Sequence, residues 1–174
     1  TFQYPNLGRA RTTWYHDHTL GMTRLNVYAG PAGFFIIRGG SSGDAAVLGD
    51  PTQLHQVVMN LCTNAVQAIE GEGCVSVSTD TVALDRPRLV TTCSLPDGDY
   101  IRLRIEDNGK GIDPVVIDRI FDPFFTTKSV GVGTGLGLSL VHGIVTDLGG
   151  GIDVENRPGA GAVFTVYVPR QGSV

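Results

Sequence analysis

The segment at 131–137, GVGTGLG, has a glycine at every second position and leads into the apolar run LSLVHGIV. Glycine lets a backbone approach a ligand closely. The first amides of the helix predicted after it are unpaired and lie at the positive end of the helix dipole, so the pattern predicts an anion site. Because the spacing is not GxxxxGK[ST] and no βαβ unit precedes it, a Walker P-loop and a Rossmann motif are excluded.

Two asparagines lie four residues apart on a predicted helix that begins near Pro51. The apolar positions 54, 57, 58, 61, 65, 66 and 69 form one helical stripe. Asn60 and Asn64 share a face close to this stripe, where side-chain amides need partners. Either they form internal hydrogen bonds, or they bind a cation or a phosphate.

A carboxylate ends a predicted strand in the stretch DNGKGI, from Asp107 to Ile112. Gly109 and Gly111 leave the following backbone bare, so a flat ligand could lie against it beside the Asp107 acceptor. A plain turn is the alternative interpretation.

His16 and His18 lie in the β-type stretch TTWYHDHTL. Residues i and i+2 of a strand share a face, so these imidazoles could bind a metal. Two ordinary polar strand residues would give the same pattern.

Composition limits the class of protein. The 174 residues are 41% hydrophobic with a net charge of −4, which is typical of a globular chain. We expect no membrane segment, because the sequence has neither a long apolar run nor a signal peptide, and we expect a cytoplasmic location. The scattered basic residues argue against nucleic acid, and three cysteines without CxxC spacing argue against zinc and a disulfide framework. The missing initiator Met suggests a fragment.

The chain changes character near residue 40. Residues 1–43 have a net charge of +3 and residues 44–174 one of −7. The sequence GGSSG between them is typical of a flexible linker. We predict a short incomplete β-rich segment at 1–38, a linker at 39–43 and a domain at 44–174.

Further elements are predicted within the larger part. Strands are expected at 74–80, 88–95 and 100–107, followed by a short helix at 113–120. After the glycine-rich segment come an apolar helix and two closing strands in GIDVENRPGAGAVFTVYVP.

The order of these motifs is more specific than any one of them. An Asn-x-x-x-Asn-Ala helix, DNGKGI, FDPFFTTK, GTGLGL and GAVFTVYVP follow one another. This series resembles the ATP-binding catalytic domain of sensor histidine kinases, in the superfamily of DNA gyrase and the mismatch-repair ATPases, over residues 44–170. The resemblance implies a two-layer α/β sandwich, with a mixed, largely antiparallel sheet, three helices on one face and ATP between them.

The resemblance implies a role for each matching residue. Asn64 matches the magnesium-binding asparagine, Asn60 supports it, and Asp107 matches the acceptor for the adenine amino group. The segment Phe121–Lys128 matches the anchor of a mobile ATP lid. The other nucleotide contacts it implies are Gly109, Gly111, Ile112, Lys128, Gly133, Thr134, Gly135, Leu136, Gly137 and Thr165.

The implied reaction is transfer of the γ-phosphoryl group of Mg-ATP to a histidine on a separate acceptor domain. Gln56, Asn60 and Lys128 are the candidate catalytic residues. Gln56 occupies a position where many relatives have Glu, and a glutamine can orient a ring but cannot take its proton. We expect ATP and Mg²⁺ as cofactors, and an acceptor domain and a response regulator as partners in trans. Alone, the chain is expected to be inactive.

The stretch WYHDHTLGMTRLNVYAGPAGFFIIRG resembles a copper-ligand segment of multicopper oxidases. This implies that His16 and His18 descend from copper ligands, but the further histidine pairs of that family are absent, so we do not expect copper as a cofactor. The alternatives left open are a copper-binding fragment and a non-catalytic fusion that self-associates through residues 1–43.

Overall fold

The computed structural model describes residues 12–15, 33–36, 49–127 and 134–170. Neither α-helix in these ranges has an apolar stretch of bilayer-spanning length. The elements are β1 Thr12–Tyr15, β2 Gly33–Ile36, α1 Pro51–Ala68, β3 Val75–Leu84, β4 Arg88–Leu89, β5 Ser94–Leu95, β6 Gly98–Asp107, a 3₁₀ helix Ile117–Arg119, α2 Gly137–Asp147, β7 Gly151–Arg157 and β8 Gly161–Pro169.

Four strands form one sheet in the order β3-β6-β8-β7, and every neighbouring pair is antiparallel. The α/β fold class predicted from the sequence is confirmed. Among the described residues, two α-helices and the 3₁₀ helix stand where three helices were expected, and the sheet is antiparallel rather than mixed. The strands β1 and β2 form a separate antiparallel pair.

The start of α1 is fixed by a side-chain cap. The Asp50 carboxylate accepts a hydrogen bond from the Thr52 amide at 2.7 Å, which satisfies one of the unpaired amides of the first turn. Pro51 needs no such partner because it has no amide hydrogen. The predicted apolar stripe then faces inward, with Val57 and Leu61 buried.

The main core lies between the two α-helices and one face of the sheet. Each large aliphatic side chain buried there stabilises the fold by about 1.5–3 kcal/mol relative to exposure. Its buried members include Val57, Leu61, Ala65, Ile105, Val141, Ile144, Val145, Ile152, Phe164 and Val166.

The segment 88–95 does not form the single strand that the sequence predicts. It forms the two short strands β4 and β5, which pair across a turn. Val90 and Leu95 pack there against Tyr100 and Tyr167, whose side chains lie on the sheet face opposite the helices. The local sequence is apolar and β-branched in either arrangement, so its pattern could not distinguish them.

The turn between β4 and β5 also contacts the outer edge of β7. The Thr92 hydroxyl accepts from the Ile152 amide at 2.9 Å, and the Thr92 amide donates to the Ile152 carbonyl at 3.1 Å. The Thr91 hydroxyl accepts from the Val154 amide at 2.9 Å. These bonds use backbone groups of β7 that its sheet neighbour β8 does not reach.

The three cysteines are unpaired but differ in environment. Cys62 on α1 is 1% exposed, and burial raises its pKa to about 12, whereas Cys74 and Cys93 are exposed. Because the thiolate is the reactive form, we predict that iodoacetamide alkylates Cys74 and Cys93 in the native protein and Cys62 only after unfolding. Peptide mass spectrometry with and without denaturant measures this. Native alkylation of Cys62 at the rate of Cys74 would contradict the described core.

Candidate functional site

The polar face of α1 runs between two glycine-containing segments. Gln56, Asn60, Asn64 and Ala68 follow one another at four-residue spacing, so each lies one turn from the next. At 1.5 Å rise per residue, Asn60 and Ala68 are about 12 Å apart along the axis.

One end of this face meets the start of α2. The Asn60 side-chain amide nitrogen donates to the Gln56 carbonyl at 3.0 Å. The Asn60 Oδ1 is thereby directed away from α1, and a Cβ built on Gly137 would lie 3.3 Å from it. The same Cβ would lie 3.9 Å from the Asn64 Nδ2. The predicted residues Asn60, Asn64 and Gly137 are therefore brought together, while the Gln56 side chain is exposed one turn earlier.

The other end of the face meets the loop after β6. The Lys110 amide donates to the Ala68 carbonyl at 3.1 Å, which extends the hydrogen bonding of α1 into this loop. Gly109 lies so close that a Cβ there would overlap the Ala68 carbonyl. This position requires a residue without a side chain.

Asp107 is the buried charged residue of this loop, with 6% of its surface exposed. Burial raises the pKa of its carboxyl group, the Gly109 and Ala162 amides that donate to it oppose the rise, and the nearby Glu106 adds to it. The Gly109 bond is 2.9 Å long. Since none of the ion pairs between described residues involves Asp107, its remaining acceptor capacity suits a neutral donor such as an amino group.

The backbone past Asp107 follows a path that only glycine takes easily. Gly111 has φ +72°, and a Cβ there would lie 2.8 Å from the Arg157 carbonyl oxygen. Ile112 follows, half-buried at the edge of the main core. The structure thus places Asp107, Gly109, Gly111 and Ile112 in one loop at the C-terminal end of α1.

The helix α2 begins without a side-chain cap. The Leu136 amide lies 3.4 Å from the Thr134 hydroxyl, which accepts from it. Gly135 has φ +68° and packs directly on the Phe124 backbone, where a Cβ would overlap it. The amides of the first turn of α2 therefore remain available to an anion beside Asn60. The predicted contacts Gly133 and Lys128 lie outside the described residues.

The segment predicted as a lid anchor packs against α2. The Phe121 ring lies 5.5 Å from the His142 ring, centroid to centroid, and Phe121 borders the main core. Arg119 stacks over the Phe125 ring at 4.5 Å. These contacts hold one end of the segment while Phe124 stays 75% exposed.

Thr165 does not join this group. Its strand partner in β6 is Arg104, whereas the neighbouring pair Ile105 and Phe164 lies in the core under the helices. Side chains alternate along a strand, so Thr165 lies on the face opposite Asp107. The prediction that its hydroxyl contacts the same ligand disagrees with this placement.

Two contributors at β8 are missing from the sequence predictions. Ala162 supplies a backbone amide to Asp107. Gly161 has φ +97°, and a Cβ there would overlap the Asp107 carbonyl. The turn signal Pro158-Gly159 predicts the end of β7, but nothing local identifies which residue of β8 faces Asp107.

Within residues 49–127 and 134–170, no group of three His, Cys, Asp or Glu side chains could hold a metal ion. The proposed copper ligands His16 and His18 lie outside the described residues.

Residues 49–172 match the family described as histidine kinase-, DNA gyrase B- and HSP90-like ATPases. The chain is 40% identical over 124 residues to the sensor kinase CckA of Brucella abortus (strain 2308), which covers 71% of this chain and 13% of that protein. It is 42% identical over 123 residues to the sensor histidine kinase ZraS of Klebsiella oxytoca, covering 71% and 23%. The matched region thus spans less than a quarter of these relatives.

Solved structures agree. The nucleotide-free catalytic domain of histidine kinase ThkA is 34% identical, with a TM-score of 0.54, covering 71% of this chain and 70% of that one. Full-length ShkA in complex with AMPPNP is 28% identical, with a TM-score of 0.57, covering 75% and 24%. The chain belongs to the histidine kinase-, gyrase B- and HSP90-like ATPase family, and its domain is the ATP-binding catalytic module of the sensor-kinase type. The matches lend no support to the multicopper oxidase resemblance of residues 1–38.

The close approach of Gly109 to α1 gives a testable prediction. The substitution Gly109→Ala should lower the free energy of unfolding by about 1–3 kcal/mol, because the new methyl group must displace the Ala68 carbonyl or the loop. The control Gly143→Ala lies on α2 with open space at its Cβ position and should raise stability by about 0.5–1 kcal/mol. Urea denaturation of both variants measures the two values. Equal stability of Gly109→Ala and the unmodified protein would contradict the contact.

Proposed function

We propose that residues 49–172 bind Mg-ATP and donate its γ-phosphoryl group to a histidine on a separate acceptor domain. One observation carries the proposal: the polar face of α1 runs from Asn60, which lies beside the glycine at the start of α2, to Ala68, which lies beside the loop that follows the buried Asp107 carboxylate. The separation of about 12 Å suits a ligand with an anionic end and a flat end that carries an amino group. ATP has both.

The flat end is assigned to the loop after β6. The Asp107 carboxylate would accept from the adenine amino group, as the family match implies. Gly109 and Gly111 leave the backbone uncovered beside it, and Ile112 supplies an apolar surface for the ring. Thr165 is not included, because its side chain lies on the other face of the sheet.

The anionic end is assigned to the start of α2. The amides after Leu136 and the positive end of the helix dipole favour phosphate oxygens there. The residues of the predicted lid assigned to this end are Lys128, Gly133, Thr134, Gly135, Leu136 and Gly137.

The asparagines fit a magnesium ion by the chemistry of their donors. An amide oxygen is a hard ligand, and Mg²⁺ usually keeps water and phosphate oxygens in its other positions. Asn64 would bind the ion, and Asn60, whose nitrogen is held by the Gln56 carbonyl, would present its oxygen to the same region. Bound magnesium neutralises phosphate charge during transfer. Gln56 is exposed, where its side chain could orient an incoming histidine.

The acceptor and the regulator are proposed to act in trans. The chain spans 13% and 23% of two sensor-kinase relatives. The acceptor histidine is therefore proposed to lie on another domain, and the response regulator to be a separate partner. Use of ATP and three unpaired cysteines accord with the predicted cytoplasmic location. We retain 44–174 as the proposed domain, after a linker at 39–43.

Calorimetric titration with ATP tests the proposal. We expect binding that strengthens with Mg²⁺, and Asn64→Ala should lose most of that magnesium dependence. Gln53→Ala is the matched control, because it removes an exposed amide from the same helix. When the protein is mixed with labelled ATP and the acceptor region of a sensor kinase, labelled phosphate should appear on the acceptor histidine. No binding at about 1 mM ATP, near the upper end of ordinary enzyme KM values, would refute the proposal.

The role of Asp107 predicts a loss of nucleotide affinity without a loss of fold. Asp107→Asn should weaken ATP binding by roughly 10- to 100-fold, because a hydrogen bond to a charged group is worth about 1.5–3 kcal/mol. Asp80→Asn removes a carboxylate that pairs with Arg102 on the other side of the domain, and should leave affinity unchanged. Calorimetry measures both variants, and similar losses in the two would contradict the assignment.

The pH dependence of Asp107 gives opposite signs for stability and affinity. Its folded-state pKa is raised, so as pH falls through that pKa the folded state takes up a proton earlier than the unfolded state and gains stability from this group. ATP affinity falls over the same window, because protonation removes the negative acceptor. As the pH is lowered through this raised pKa, the unmodified protein should lose more affinity than Asp107→Asn, which has no carboxyl group to titrate at this position. Parallel curves would contradict this.

A further inference from the structure

Asn156, near the end of β7, bonds both the backbone amide and the backbone carbonyl of Ile112, a residue of the loop after β6. Its Oδ1 accepts from the Ile112 amide at 2.8 Å, and its Nδ2 donates to the Ile112 carbonyl at 2.7 Å. The asparagine side chain can make both bonds at once because its carboxamide has an acceptor oxygen and a donor nitrogen. The two residues are 44 positions apart in the chain, so the bond joins distant segments.

The strand register connects the same side chain to Asp107. Asn156 lies directly opposite Ala162 in the pairing of β7 with β8. The Ala162 amide is one of the two that donate to the Asp107 carboxylate. Within this cross-strand pair, the backbone of Ala162 therefore supports the Asp107 acceptor, and the side chain of Asn156 supports the loop at Ile112.

A third bond completes this attachment of the loop to the β7–β8 hairpin. The Gly159 amide in the hairpin turn donates to the Lys110 carbonyl at 2.8 Å. On its other side the loop is fixed to α1 through Ala68. Between these supports lie Gly109 and Gly111, which by themselves would let the backbone sample many conformations.

We propose that Asn156 is a positioning residue for adenine recognition. In this proposal Asn156 does not contact the ligand. By fixing Ile112, it keeps the glycine-containing backbone of the loop and the Asp107 acceptor in the arrangement that a purine with an amino group requires. Ordering a glycine-containing loop before the ligand arrives removes an entropic cost from binding. The inference rests on the proposed ATP site.

The test compares ATP with GTP, because the two nucleotides share their phosphates and differ at the base. Affinities are measured in the full chain by competition against a fluorescent ATP analogue. Asn156→Ala should weaken ATP by about 5- to 20-fold, the loss of roughly two hydrogen bonds, and GTP by less than about 2-fold. Asn156→Asp keeps an acceptor for the Ile112 amide but loses the donor, so its ATP affinity should be intermediate.

Thr92→Val is the matched control. The Thr92 hydroxyl also accepts from an amide and donates to a carbonyl of one residue, Ile152, but at the opposite end of β7. A merely structural role predicts that Asn156→Ala and Thr92→Val lower stability and leave the ratio of ATP to GTP affinity unchanged.

The outcomes separate the two proposals. If the unmodified protein binds ATP and Asn156→Ala keeps its preference for ATP over GTP, the inference is overturned while the proposed function stands. If the unmodified protein binds neither nucleotide, the proposed function fails and the inference with it. Should Asn156→Ala not fold, Asn156→Asp decides, because an unchanged ATP preference in that variant contradicts the role.

Discussion

The candidate site depends on how closely the loop after β6 can approach the last turn of α1. A side chain at Gly109 would separate them, and the Lys110 amide could not then reach the Ala68 carbonyl. This contact fixes the position of Asp107 relative to Asn64, because Asn64 lies on α1 and the loop that follows Asp107 is bonded to the last turn of the same helix. The distance between the two ends of the site is thus set by the pitch of α1 rather than by flexible loops.

The electrostatic state of Asp107 follows from that packing. Burial alone would favour the neutral acid, and the backbone amides of Gly109 and Ala162 return part of the stability of the charged form. Both amides already donate to the carboxylate, so they are oriented toward it before a ligand binds. A carboxylate supported by fixed amides can discriminate between a donor and an acceptor on the ligand, which an exposed carboxylate does poorly.

The sequence predicted those features that repeat with a short period. Spacings of three and four identified the buried face of α1, and alternation identified β6. It failed where both faces of an element are covered: all of β8 from Gly161 to Val168 is buried, so its pattern could not show that Thr165 points away from Asp107. Contacts between distant segments, such as that of Asn156 with Ile112, leave no local pattern at all.

The threonine hydroxyls beside β7 have a consequence for self-association. β7 is the last strand of its sheet, and such a strand usually offers a row of free amides on which a second molecule can add a strand. Here the amides of Ile152 and Val154 are already bonded by Thr92 and Thr91, so this side is a poor template for aggregation. At these positions β7 therefore has fewer free backbone groups for pairing with a second copy of the chain.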